Sequence, residues 1–96
     1  MASRETPAVG AAHTAEFEFT YDEERTARAV FESVRVEVDE IADDRSRADA
    51  ARDGRVVRVT VEAADLTALR AAQNTWIRLL EVAEDVESIG RRLVDR

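Results

Sequence analysis

Cysteine and lysine are absent from this chain, histidine and proline occur once each, and glycine three times. Without cysteine there is no disulfide and no thiolate metal site. The one histidine, His13, closes a stretch with no periodicity, where a general base would lack the held geometry that proton transfer needs. No glycine-rich loop follows a strand, so no nucleotide cradle is visible. Ser33, Ser46 and Ser88 have no histidine nearby in the sequence, so none reads as an activated nucleophile. Asp43-Asp44 and Glu84-Asp85-x-Glu87 are acidic runs without calcium-loop spacing, and they read as solvated surface. No apolar run approaches the roughly 20 residues of a membrane span and no signal peptide is visible, so a cytoplasmic protein away from the membrane is expected. These absences leave no catalytic, cofactor-binding or metal residue to name, and a non-enzyme is expected.

What is present fits one small domain. The chain has 96 residues, of which 45% are hydrophobic, an ordinary share for a globular fold. The net charge is -7, and with lysine missing all 14 basic residues are arginine. An acidic, lysine-free composition rich in Ala, Val, Asp and Arg points to a salt-adapted organism with a GC-rich genome, the alternative being an ordinary acidic protein. Carboxylates hold water, and at about 1 M salt the Debye length of roughly 3 Å screens their repulsion.

Residues 1–12 have no period and read as a flexible tail; residues 13–90 read as the domain, and 91–96 as a second tail. Between Thr14 and Tyr21 apolar and polar residues alternate, the pattern of a strand with one wet face. Thr20-Tyr21-Asp22-Glu23 fits a capping box opening a helix that runs to about Asp39 or Ile41. Its apolar stripe is Ala27, Val30, Phe31, Val34, Val38 and Ile41, widened by Ala29 and Val36. The stretch Arg45 to Arg52 is ambiguous, because its alanines favour a helix. It is followed by Asp53-Gly54, a two-residue hairpin signal, and by the β-branched strand Arg55 to Glu62. Pairing the two as a hairpin puts Val57, Val59 and Val61 on the core side, with thin cover from Ala48 and Ala50. Asp65 is an N-cap for a second helix ending near Glu87 or Ser88, with Gly90 as its stop and Arg91, Arg92 and Arg96 at its negative end.

The expected fold is therefore α+β, a two-layer β-α-β-β-α domain. Its three-stranded antiparallel or mixed sheet has strand 55–62 in the centre and both helices on one face. Two open sheet edges argue for an oligomer or a complex subunit.

The second helix has two apolar stripes about 100° apart. One runs Leu66, Leu69, Trp76, Ile77, Leu80, Ala83; the other runs Ala68, Ala72, Thr75, Leu79, Val82, Val86. Either both are core, or the second docks a partner. The second reading makes Ala68, Ala72, Thr75, Leu79 and Val82 a partner interface, whose small residues admit a close helix. Arg45, Arg47, Arg52, Arg55 and Arg58 form a basic island in an acidic chain. It is either a salt-laced sheet face or a phosphate-contacting surface, with Arg45, Arg47, Arg55 and Arg58 as the candidate contacts.

Arg45-Ser46, the Asp-Gly turn and then Ala63-x-Asp65-Leu66-x-x-Leu69-Arg70-Ala71-x-x-Asn74 resemble a known family. It is that of the small dimerisation subunit of the KEOPS complex, related to the cancer/testis-antigen-like proteins. The resemblance spans about residues 13 to 88. Gln73 and the alanine-rich strand 46–51 depart from it. It implies a non-catalytic homodimer that binds the threonylcarbamoyltransferase subunit through its helices, with a kinase subunit in the same assembly. It also implies help in holding tRNA for threonylcarbamoyl-adenosine modification. Arg70 and Asn74 are then expected to bond backbone groups or the partner, or Arg70 to pair with an acid such as Glu37. The alternatives are a free-standing RNA-binding domain, which the net charge opposes, or a transcription-associated regulator.

Overall fold

The computed structural model describes residues 13–41 and 45–94. The expected tail at 1–12 and the polar break at 42–44 lie outside the described residues. The elements are β1 (His13–Thr20), α1 (Glu24–Arg35), a short α2 (Val38–Ile41), β2 (Ser46–Asp53), β3 (Val56–Ala63) and α3 (Leu66–Val94). The fold is α+β. The sheet order is β1-β3-β2, and both pairings are antiparallel.

Alternation decides the sheet. On β3 every second residue, Val57, Val59, Val61 and Ala63, is buried. Their register partners Phe19, Phe17, Ala15 and His13 on β1 share that face, as do Arg52, Ala50, Ala48 and Ser46 on β2. The helices cover it, α1 over β2 and β3, and α3 over β3 and β1. The core joins these valines to Ala27, Val30 and Val34 of α1 and to Ala72, Trp76, Leu80 and Ala83 of α3. Trp76, 1% exposed, is the largest fully buried side chain.

Several local expectations shift. The ambiguous stretch is a strand, because pairing with β3 and burial of Ala48 override alanine's helical preference. Asp53 pairs with Val56, so the hairpin loop is Gly54-Arg55 rather than Asp53-Gly54. Gly54 has φ 61 and no other described residue has positive φ, the pattern of a type II′ turn with glycine first. The Thr20–Glu23 capping box does not form: α1 is N-capped by Glu23, with no side-chain cap bond. Nor does α1 continue to residue 39, since Glu37 N–H donates to the Val34 carbonyl at 3.0 Å and the chain breaks into α2 against β2. Ala29 and Val36 are exposed and do not widen the apolar stripe. Asp65 caps α3 as expected, its Oδ1 accepting from the Ala68 N–H at 2.8 Å.

The largest difference is at the end of α3. The helix does not stop at Gly90 but runs to Val94, so residues 91–94, expected as tail, are helical. Its 29 residues span about 43 Å at 1.5 Å each. The eight-residue strands span about 26 Å. The helix starts beside Ala63 and runs back along the sheet, so its last three turns pass beyond the end formed by Thr20, Asp53 and Val56.

Candidate docking face and its polar anchor

Two parallel seams run along α3. Leu69, Gln73, Trp76, Leu80, Ala83 and Glu87 follow alternating steps of four and three and face the domain's own core. Ala68, Ala72, Thr75, Leu79, Val82, Val86, Ile89 and Leu93 repeat the same steps one residue earlier in each turn. An unbroken four-three alternation is the spacing of a helix that packs lengthwise against another helix. The first half of this second seam sinks toward the sheet: Ala72 is buried, and Ala68, Thr75 and Leu79 are half-buried. The second half emerges: Val82, Val86, Ile89 and Leu93 are 58%, 61%, 49% and 62% exposed.

The two expected stripes are thus present in altered membership. Ala72 and Leu79, expected to face outward, contribute to the core or pack against it. Leu66 and Ile77, expected in the core, are 58% and 38% exposed. Ile77 lies one residue beyond Trp76 and has turned past the sheet, and Leu66 sits in the first turn next to the cap. Ile89 and Leu93 were missed because the helix was expected to end before them; the continued four-three spacing past Ser88 was the signal.

At the other end of α3 a groove of about 530 Å³ lies between the start of β2 and the first turns of the helix. Arg45, Ser46, Asp65, Ala68, Ala71, Ala72 and Thr75 line it, so expected interface residues and motif residues share one surface. Asp65 is the joint. One carboxylate oxygen caps the helix and the other pairs with Arg45, while the Ala64 N–H donates to the Arg45 carbonyl at 2.9 Å. Thr75 Oγ1 donates to the Ala71 carbonyl at 3.0 Å, leaving its methyl group to the surface. Arg70 and Asn74 are exposed on α3, and among the described residues no ion pair joins Arg70 to Glu37.

The arginine island is divided by the strand alternation. Arg47 and Arg58 lie on the open face of the sheet, whereas Arg52 lies on the helix side. Arg52 donates to the Gly54 carbonyl at 2.9 Å, and Arg55 donates to the Tyr21 carbonyl at 3.4 Å. Arg58 is held between Glu18 at 2.8 Å and Glu16 at 2.9 Å. The hydrogen bond to Glu18 raises its pKa above the ordinary arginine value. The open face places the acids Glu16, Glu18, Asp49, Asp53 and Glu62 with the bases Arg47 and Arg58.

A polar cluster ties the far end of α3 to the start of α1. Tyr21 Oη donates to Glu84 Oε2 at 2.6 Å. Thr26 Oγ1 donates to Glu87 Oε2 at 3.5 Å and accepts from Arg91 Nη1 at 3.3 Å, and Arg91 stands 3.8 Å from Glu87. Burial, then the hydrogen bond to the Glu84 carboxylate, pushes the Tyr21 phenol well above its ordinary value. A small cavity of about 230 Å³ opens beside these residues. Glu84 and Glu87, expected as solvated surface, are half-buried and face Tyr21 and Thr26. His13 opens β1 opposite Ala63.

These features describe a small two-layer domain with an exposed apolar face on its long helix. The family model described as "Transcription factor Pcc1" matches residues 14–87, and the chain belongs to that family. Among solved structures the chain is similar to one in the crystal structure of the binary complex Gon7-Pcc1, at 18% identity and a TM-score of 0.66. That likeness covers 82% of this chain and 96% of the other. No curated protein matches the chain.

Proposed function

We propose that the protein is a non-catalytic, dimerising scaffold subunit of the KEOPS complex. It binds the threonylcarbamoyltransferase subunit through α3 and brings it together with the kinase subunit and tRNA for threonylcarbamoyl-adenosine modification. One observation carries this reading: the second seam of α3, which emerges as four large exposed apolar side chains in helix-pairing register. The occupant is a helix of the transferase. The groove at Ala68, Ala71 and Ala72 extends the same surface and admits close approach. The two edge strands β1 and β2 remain for a second copy of the chain. Membership in the Pcc1 family, and a fold neighbour solved in the binary complex Gon7-Pcc1, support a partner-binding role.

Phosphate contact by Arg45, Arg47, Arg55 and Arg58 accompanies this reading, with Arg45 and Arg58 exchanging their exposed acid partners for phosphate. The family's description as a transcription factor favours a second reading, a transcription-associated regulator. The experiment is co-purification with the transferase at the host's own salt. Val86→Asp, at an exposed position, is expected to leave the melting temperature unchanged and to abolish recovery of the transferase. Normal recovery of the transferase by that variant would remove the α3 face as the interface. It is a cleaner probe than Leu79→Asp, because Leu79 also packs against the core.

A further inference from the structure

We propose that Tyr21, Thr26, Glu84, Glu87 and Arg91 form a positioning clasp. It holds the part of α3 that has left the sheet and so sets the direction in which Val86, Ile89 and Leu93 are presented. The inference rests on the reading of that face as a docking surface.

The last three turns of α3 have no sheet beneath them. A helical segment of that length is marginal in water unless tertiary contacts hold it. Gly90 lies inside it, with open space where a Cβ would stand, so no packing secures the chain there. The apolar residues of this stretch face outward and do not anchor it either. What faces inward is polar. Glu84, Glu87 and Arg91 stand three and four residues apart, on one side of the helix, toward Tyr21 and Thr26.

The receiving side is itself fixed. The Tyr21 N–H donates to the Arg55 carbonyl at 2.9 Å, and Arg55 returns a hydrogen bond to the Tyr21 carbonyl. A continuous path therefore runs from the β2–β3 hairpin through Tyr21 to Glu84. A parallel one runs from the first turns of α1 through Thr26 to Glu87 and Arg91. Hydrogen bonds have directions and fixed lengths, which a greasy contact lacks. They can set the angle of an overhanging helix while leaving its apolar side free.

Amide hydrogen exchange in the full chain tests this. In Tyr21→Phe combined with Thr26→Ala, exchange at Val86–Leu93 is expected to accelerate at least tenfold, with β3 and Ala72–Leu80 unchanged. Thr26→Ser with Tyr21 intact keeps both donors and is expected to match the wild type. Unchanged protection at 86–93 would overturn the clasp. Equal acceleration in β3 would overturn it too, since the cluster would then be a general stabilising contact. The outcome is separable from that of the docking reading. Val86→Asp tests the face without touching the clasp, and the exchange measurement needs no partner.

Discussion

Tyr21 is the single tyrosine, half-buried, and its hydroxyl is committed to a carboxylate. Its folded-state pKa is raised above the unfolded value of about 10. The stability it contributes is therefore fully present below pH 10 and is lost as pH rises through the folded value. Alkaline titration followed by phenolate absorbance is expected to show no ionisation near pH 10 in the folded protein, with the signal appearing only at higher pH. Ionisation near pH 10 in the folded protein would show that the bond to Glu84 does not persist in solution. A second contrast belongs to this scale. Trp76→Ala should cost about 3–5 kcal/mol in urea unfolding, because it empties the centre of the core. Leu66→Ala should stay within about 0.5 kcal/mol, because that leucine is mostly in water. The sequence pattern placed both on the same stripe; only their surroundings separate them.

At the scale of elements, α3 departs most from its local signals. Glycine is a weak helix former and favours helix ends, so a stop at Gly90 is the natural reading. The helix continues because Glu87 and Arg91, on either side of Gly90, are tied back to Thr26. Gly90→Ala should then stabilise the protein by about 0.5–1 kcal/mol, since nothing lies within 4 Å of the added Cβ. A destabilised variant in thermal unfolding would show that the helix does end there. The hairpin shows the opposite balance. Its glycine was legible from Asp53-Gly54, but the exact pair of loop residues was set by the register with β3. The register is fixed because a slip of one residue would turn Val57, Val59 and Val61 toward water.

For the molecule as a whole, the open face of the sheet is where acids gather with few bases among them. The open side of the sheet is predominantly acidic, and its Arg58 is already shared between two glutamates. At about 0.01 M salt, where the Debye length reaches roughly 30 Å, those acids repel one another almost unscreened. Dialysis from molar to low salt is expected to lower the melting temperature. The drop should be smaller in Asp49→Asn/Asp53→Asn, which removes two charges from that face without breaking an ion pair of Arg58. Equal melting temperatures at both salts would end the salt-adapted reading.

Whereas β2 became a strand through its pairing with β3, the sequence by itself determined β1 and β3 with their faces, the cap at Asp65 and the presence of two apolar stripes on one helix. Each of these is a local period or a local hydrogen bond, readable from neighbours a few residues away. Tertiary structure alone decided which members of the stripes meet the core. That follows from the short α1 and the eight-residue strands, which end before α3 does. It also decided the partners of the arginines and turned Glu84 and Glu87 inward, because charges find their partners across space and not along the chain.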